Sequence, residues 1–311
     1  MTALKILNPK INPYLYGYSN KFIFFKNLIQ KKKLPQSIMI TGDKGIGKET
    51  FVNHLLHFYF DKENYNEKDN YINDKSIFHN QFINNLFPNI IYFESFNLKK
   101  INIDDIRKLK KNLLKKPIID DKRFIIFDEV ESFNNNCLNA LLKIIEEPGK
   151  NNYFIFINNK TKPILSTVKS RCLEIKFILN NKNKKEITSS LLDYFNQKIL
   201  IKDENMQMTP GNFIKFNHIL DEQKINLKED ILTNSKIILN LYKKEKNFIY
   251  RDLLLFLSNY YYYKIKFNNN CDKIKFIEEK EFIIKNINEF FTFNLSQNSL
   301  LHFLEEKFNN E

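Results

Sequence analysis

Several residue types that define whole protein classes are scarce in this sequence. Its three cysteines, Cys137, Cys172 and Cys271, lie far apart and form no CxxC pair, which excludes a disulfide framework or a four-cysteine zinc site within the chain. No apolar run approaches the roughly 20 residues that span a bilayer, and the first residues lack the continuous apolar core of a signal peptide. We therefore expect a cytoplasmic protein with reduced cysteines and without a membrane partner.

Arginine is scarce too, although the chain is strongly basic. It contains four arginines and 45 lysines, and its formal net charge is +13. A positive excess of this size suggests nucleic acid as a partner. The abundance of Lys, Asn, Ile and Phe is also what AT-rich codons produce. The charge alone is therefore weak evidence for a nucleic-acid partner. Where arginine is this rare, an arginine within a motif carries more weight than a lysine.

Apolar and aromatic residues, by contrast, are plentiful. Apolar residues make up 43% of the 311 positions, which is enough for a substantial core divided into two or three domains. Residues 124–172 are typical of a buried strand, an amphipathic helix over 134–147, a second buried strand over 153–157 and a turn. Uninterrupted apolar strands joined by helices indicate an α/β fold, in which both faces of a parallel sheet are covered.

Two carboxylates follow the first of these strands. Ligands of parallel sheets bind at the carboxyl ends of the strands, which is where Asp128 and Glu129 lie. Asp128 is placed to hold a metal-bound water and Glu129 to orient an attacking water. The alternative is that both carboxylates only cap the following turn. After the second strand, Asn158 and Asn159 stand where a polar group could sense a γ-phosphate.

A phosphate-binding loop is predicted nearer the N-terminus. A short buried strand over 37–41 precedes the sequence GDKGIGK, and an apolar helix over 49–60 follows it. Strand, GxxxxGK and helix form the context that a P-loop needs, because backbone N–H groups and the helix N-terminus then face the phosphates. The residues that would bind ATP there are Gly42, Gly45, Gly47 and Lys48.

This loop departs from the P-loop pattern at one position. The residue after the lysine should be Ser or Thr, whose hydroxyl holds Mg²⁺, but Glu49 stands there. Thr50 is a further candidate for cofactor binding, although one helical step turns its side chain by about 100°. A carboxylate could bind Mg²⁺ but would place negative charge beside the phosphates. A weak or vestigial site for ATP with Mg²⁺ and a purely structural turn therefore both stay open.

The motifs taken together resemble a known family. The segments NALLKIIEEP and SRC, with LPQSIMITGDKGIGK and FIIFDEVE upstream, are similar to the clamp-loader AAA+ ATPases in their bacterial DNA polymerase III branch. The resemblance extends over residues 16–177. It implies an AAA+ P-loop domain over 1–177, a small helical lid over 178–225 and a C-terminal helical collar over 226–311.

The resemblance also implies partners and a role for one arginine. Clamp loaders of this family are hetero-pentamers, with gamma/tau and delta among their subunits, that open a sliding clamp and place it on primed DNA. Arg171, the arginine of SRC, would act as an arginine finger toward ATP bound by a neighbouring subunit. Ser170 and Cys172 would position its turn. The alternative for Arg171 is an ordinary surface ion pair.

Within this family, the altered phosphate loop favours the delta-prime type, a largely non-motor subunit. Asn212 stands where motor subunits carry a sensor arginine. Like Glu49, it therefore favours a non-motor subunit. The retained pair of Asp128 and Glu129 keeps open the alternative, an ATP-hydrolysing gamma/tau-like motor. A DNA-binding module without a nucleotide role rests on charge alone and is the weakest hypothesis.

One segment differs from the family pattern. Related subunits often carry a small zinc module of four cysteines after the P-loop helix, but residues 61–87 contain none. We interpret this polar, asparagine-rich segment as a surface insertion and expect no zinc. His54, His57 and His79 are interpreted as surface or helix-face residues rather than metal ligands, since no paired carboxylate or cysteine spacing accompanies them.

Overall fold

The computed structural model describes residues 7–93, 101–119, 122–202, 208–266 and 273–309 of the chain. The chain divides into two compact units. The first combines Met1–Asn196 with Met208–Lys215, and the second combines Gln197–Gln207 with Phe216–Glu311. The three domains suggested by the sequence stay a prediction.

The first unit is built on a parallel sheet. The strands described in it are β1 (Ser37–Thr41), β2 (Tyr65–Asn66), β3 (Tyr71–Ile72), β4 (Ile90–Phe93), β5 (Arg123–Phe127), β6 (Asn152–Asn158) and β7 (Leu173–Lys176). Five of them form the main sheet in the order β4-β5-β6-β1-β7. Each neighbouring pair is parallel, so that Ile38 of β1 faces Ile155 of β6 on one side and Leu173 of β7 on the other.

Helices accompany this sheet. Those of the first unit are α1 (Ser19–Gln30), α2 (Lys48–Phe60), α3 (Ile77–Ile83), α4 (Ile103–Leu113), α5 (Asn135–Glu146), α6 (Ser166–Lys169) and α7 (Asn181–Tyr194). The side chains of Asn102 and Asn134 cap α4 and α5 by accepting from backbone N–H groups of the first turn, as asparagine at a helix start favours. The observed bounds of α2 and α5 lie within one residue of the predicted ones.

The central strands are buried on both faces. Every residue of β1 and β5 is buried, and successive side chains of a strand point to opposite faces. Phe124 and Ile126 of β5 belong to the same core cluster as Phe51 of α2, whereas Ile125 and Phe127 share a second cluster with Leu141 of α5. The predicted α/β fold with a covered parallel sheet is confirmed. Polar residues such as Asp128 follow the ends of its buried strands.

The segment over residues 61–87 is folded onto this core. It holds the antiparallel pair of β2 and β3, followed by α3. Tyr65, Ile72, Phe78 and Phe82 are buried in the same cluster as α2. The interpretation of the segment as a surface insertion is therefore wrong for these four residues, which belong to the core. Most of the residues around them are polar, and the helical spacing of Phe78 and Phe82 extends over one short helix only.

The second unit is helical. Its helices are the C-terminal part of α8 (Pro210–Glu222), then α9 (Ile231–Glu245), α10 (Ile249–Lys266), α11 (Lys273–Phe293) and α12 (Gln297–Asn309). Leu253, Leu257, Ile287 and Leu304 are fully buried among them. The predicted helical C-terminal region is confirmed. Within the described ranges, none of the helices combines the length and apolar character that crossing a membrane requires.

Candidate functional site

The candidate site lies at the carboxyl edge of the main sheet, the edge where its parallel strands end. The phosphate loop, residues 42–47, follows β1 and leads into α2, whose first residue is Lys48. Asp128 follows β5 and Asn159 follows β6. The structure therefore brings these predicted site residues to one edge, where such sheets bind their ligands. Binding of ATP by them stays a prediction.

Two glycines of the phosphate loop leave no room for a side chain. Gly45 has a left-handed backbone with φ +84°, and a Cβ there would lie 2.5 Å from Oγ1 of Thr209. A Cβ at Gly42 would collide with the carbonyl oxygen of Phe177. Gly47 also has a positive φ of +92°, but its nearest neighbour would be 3.8 Å away. The shape of the loop thus requires these glycines whether or not a phosphate binds.

The segment TPG, at the start of α8, is hydrogen-bonded to the phosphate loop. Oγ1 of Thr209 donates to the carbonyl of Lys44 at 2.7 Å, and the N–H of Gly211 donates to the carbonyl of Gly45 at 2.8 Å. A Cβ at Gly211 would lie 2.7 Å from that same carbonyl oxygen. Asn212, predicted to stand where motor subunits carry a sensor arginine, lies beside Gly45. Sequence reasoning missed this contact, for which the TPG motif was the visible signal.

Lys48, the lysine expected to reach phosphate oxygens, is turned onto its own loop. Its side chain is buried, and Nζ donates to the carbonyls of Gly42 at 2.6 Å and Asp43 at 2.7 Å. Burial lowers the pKa of the Lys48 ammonium to about 8, although the nearby carboxylates of Asp128 and Glu131 act in the opposite direction. An incoming phosphate would have to compete with two carbonyl oxygens for this ammonium.

The acidic pair after β5 occupies two different environments. Asp128 is buried, and burial together with repulsion from Glu49 and Glu129 raises the pKa of its carboxyl well above the usual range. The carboxyl of Asp128 is therefore protonated more readily than that of an ordinary aspartate. Glu129 has a left-handed backbone with φ +49°, and its carboxylate lies 2.8 Å from Nζ of Lys44. Sequence reasoning missed Lys44, since no motif marks the ion pair.

Glu131 joins the loops that follow β5 and β6. It is buried, and its Oε1 accepts from the backbone N–H of Asn159 at 3.0 Å and from Oγ1 of Thr161 at 3.0 Å. The predicted sensor Asn159 is therefore fixed through its backbone by a residue that sequence reasoning missed. Thr50 is buried in the first turn of α2, and no hydrogen bond from its hydroxyl to the phosphate loop is found within the described ranges.

Arg171 lies at the opposite edge, the amino edge, where the parallel strands begin. It precedes β7 by two residues. Because β7 pairs in parallel with β1, with Leu173 beside Ile38 and Lys176 beside Thr41, the length of the strand separates Arg171 from the phosphate loop. At about 3.3 Å per residue that separation is roughly 15 Å. The structure thus does not bring Arg171 to the residues of the carboxyl edge.

The guanidinium of Arg171 is paired within the chain. Nε donates to Oε1 of Glu146 at 2.7 Å, Nη2 lies 2.6 Å from the same oxygen, and Nη1 donates to the carbonyl of Thr167 at 3.0 Å. The side chain is nevertheless 39% exposed. The surface ion pair considered as an alternative is present, and the finger role stays a prediction.

The three histidines near α2 are buried on helices, His54 and His57 on α2 and His79 on α3, so of the two predicted placements the helix face is right and the surface is wrong. His57 Nδ1 lies 2.7 Å from the carbonyl of Asn53, and His57 Nε2 lies 3.1 Å from Nδ1 of His79. Since a carbonyl only accepts, Nδ1 of His57 carries a proton, and the neutral ring accepts from His79. Burial lowers the pKa of His57 to about 4 and that of His54 to about 3. No group of three or more His, Cys, Asp or Glu in the described part of the chain could hold a metal.

Known proteins similar to the chain are replication subunits. Residues 18–181 match the family model described as "DNA polymerase III, delta subunit". DNA polymerase III subunit delta' of Buchnera aphidicola subsp. Schizaphis graminum is 31% identical over 196 residues, 57% of this chain and 57% of that protein. Subunit delta' of Buchnera aphidicola subsp. Baizongia pistaciae is 27% identical over 254 residues, 75% and 68% of the two chains.

A gamma/tau subunit is similar as well. DNA polymerase III subunit gamma/tau of Mycoplasma pneumoniae is 28% identical over 195 residues, which cover 61% of this chain and 26% of that protein. The chain therefore spans 57% of the length of the first delta' relative and about a quarter of the gamma/tau relative.

Proposed function

Because the chain belongs to the delta-prime subunit family of DNA polymerase III, we propose that it acts as a largely non-motor subunit of a clamp loader. In this role it assembles with gamma/tau and delta subunits into a hetero-pentamer that loads a sliding clamp onto primed DNA during replication. Its own ATP turnover is weak or absent. Arg171 serves the ATP site of a neighbouring subunit as an arginine finger.

The observation that carries this proposal is the separation of Arg171 from its own phosphate loop. The arginine stands at the amino edge of the sheet and the loop at the carboxyl edge, with β1 and β7 between them. An arginine so placed cannot touch phosphates bound by Lys48 in the same chain. If it stabilises charge on a transferring phosphoryl group, that group belongs to another subunit.

The residues at the chain's own phosphate loop support the proposal that it hydrolyses ATP weakly. The Lys48 ammonium is bound by two carbonyls of the loop. Glu49 replaces the hydroxyl that P-loops use to hold Mg²⁺, and it also raises the pKa of the Asp128 carboxyl. Each departure weakens a different part of the machinery for hydrolysis, so a bound ATP would turn over slowly.

The proposal is tested in the reconstituted clamp loader. Arg171→Ala should lower ATP hydrolysis at the neighbouring site on the order of a thousandfold, which is the low end for arginine fingers, while the isolated chain unfolds at an unchanged temperature. Lys169→Ala is the matched control, because Lys169 is an exposed cation on the same turn. Equal activity of the two variants would remove the finger role.

A second candidate is an ATP-hydrolysing motor of the gamma/tau type. The observations in its favour are the retained Asp128 and Glu129 at the strand end and the similarity to a gamma/tau subunit. In that case the isolated chain hydrolyses ATP, and Lys48→Ala abolishes the activity. Under the favoured proposal, the isolated chain hydrolyses little ATP, and Lys48→Ala therefore changes its activity little.

A further inference from the structure

The carboxylate that holds Arg171 belongs to a motif without an assigned role. Glu146 is the last residue of α5 and the first glutamate of EEP in the segment NALLKIIEEP. Its Oε1 receives both Nε and Nη2 of Arg171, at 2.7 and 2.6 Å. On the other side of the guanidinium, Nη1 donates to the carbonyl of Thr167 at 3.0 Å. The three nitrogens of the guanidinium are therefore held by Glu146 of α5 and by the carbonyl of Thr167 in α6.

These contacts leave part of the guanidinium available. The group carries five N–H donors in a rigid plane. Nε and Nη1 each donate one hydrogen bond, and Nη2 takes part in the ion pair with Glu146. The remaining N–H of Nη1 and that of Nη2 have no partner within the described residues. Because the side chain is 39% exposed, the plane is held on one side and can still donate on the other.

We propose that Glu146 is a positioning residue for Arg171. Together with the Thr167 carbonyl, it holds the guanidinium in one orientation, so that its two open N–H groups are presented to a phosphate oxygen at the neighbouring ATP site. A long arginine side chain on a surface turn otherwise samples many rotamers, and a group that must meet a transition state gains from being fixed in advance. This inference rests on the finger role proposed above.

A competing role for Glu146 predicts a change of the ATPase activity in the opposite direction. If Glu146 only competed with phosphate for the arginine, its removal would free Arg171 and raise the ATPase of the complex. A carboxylate of purely structural importance would act on folding, whether or not the arginine is present. The sign of the effect and its dependence on Arg171 therefore separate the three roles.

The experiment is a double-mutant cycle in the reconstituted clamp loader, with full-length chains. We expect Glu146→Ala to lower kcat for ATP about tenfold, as the loss of a residue that orients another does, with KM unchanged. Glu146→Gln, which keeps an acceptor oxygen, should retain more activity. In the Arg171→Ala background, Glu146→Ala should have no further effect. Glu147→Ala, the adjacent exposed glutamate, should match the wild type.

Each other result decides against the inference. A Glu146→Ala variant as active as Glu147→Ala, or more active than the wild type, overturns it. So does a further loss in the Arg171→Ala background, which would show a structural role. If Glu146→Ala does not fold, the same comparisons are made with the isosteric Glu146→Gln. An Arg171→Ala variant of full activity overturns the finger role itself, whereas a loss there without one at Glu146 overturns this inference alone.

Discussion

The two edges of the sheet hold their cations differently. At the carboxyl edge, Lys48 is buried and bound by carbonyls of its own loop, while Lys44 is paired with Glu129. At the amino edge, Arg171 is fixed by Glu146 but stays 39% exposed. Lys48 is thus enclosed by its own loop, whereas Arg171 is paired and still partly open to solvent.

This difference separates two kinds of site on one sheet. A P-loop motif predicts chemistry at the carboxyl edge, where Lys48 is hydrogen-bonded to carbonyls of its own loop and the loop is held by the TPG segment. Arg171, the more exposed cation, stands at the other edge. The helix α2 links the edges, because it begins at the phosphate loop and its last turn carries the buried His57. Three further predictions test this comparison.

The largest expected effect is the loss of stability in acid near the end of α2. The folded-state pKa of His57 is about 4 and its usual value is 6.5. Stability from the neutral ring is complete above about pH 6.5 and is lost as the pH falls toward 4, since the unfolded chain then binds a proton that the folded chain does not. The loss from His57 alone is on the order of 3 kcal/mol.

Urea unfolding between pH 7 and pH 4 measures this loss. His57→Gln should unfold at lower urea concentration at pH 7 and show a weaker dependence on pH. His302→Gln is the control, because the His302 side chain is 79% exposed. An equally steep loss in His57→Gln and the wild type would mean that the buried ring does not cause the acid sensitivity.

A smaller effect is expected where the phosphate loop meets the TPG segment. Gly45→Ala introduces a side chain at positive φ and a collision with Thr209, which together cost about 2 kcal/mol. Gly47→Ala carries the backbone strain without the collision, so it should cost less. Thermal unfolding of the two variants measures the difference, and equal losses would contradict a tight contact between the loop and Thr209.

The smallest effect concerns Mg²⁺ and ATP at the carboxyl edge. Glu49→Thr removes the repulsion that acts on Asp128 and restores the hydroxyl of a P-loop, so binding of Mg²⁺ with ATP should tighten roughly tenfold, about 1.4 kcal/mol. Equilibrium binding of ATP with and without Mg²⁺ measures it. Glu49→Gln removes only the charge, and an equal gain in both variants would assign the defect to repulsion. No gain in either would locate the defect in Lys48 and its carbonyls.

Much of the fold could be predicted because its signals are local. The strand Ser37–Thr41 has the bounds that its apolar run predicts, and Asn134 marks the start of α5 as expected of a cap. The segment over residues 61–87 could not be predicted in this way. Phe78 and Phe82 keep a helical spacing only over the short helix α3, and the burial of these aromatics, together with that of His57 and His79, depends on packing against α2.

The candidate site was predictable only in part, for a related reason. The motif identified Gly42, Gly47 and Lys48 directly, since spacing along the chain defines a P-loop. The pairing of Lys44 with Glu129, by contrast, joins residues far apart in sequence and has no motif. The same holds for the hydrogen bonds of Glu131. Long-range pairs of this kind decide whether a motif is available to a ligand, and they become visible only in three dimensions.

The close approach of Gly45 to Gly211 has a consequence for how such sequences are interpreted. Two of the six glycines of the chain meet at one backbone hydrogen bond, where neither tolerates a methyl group without displacement. The packing of the loop would therefore preserve glycine at these two positions whether or not a nucleotide binds. Glycine at these positions is explained by packing and is not, by itself, a sign of nucleotide binding.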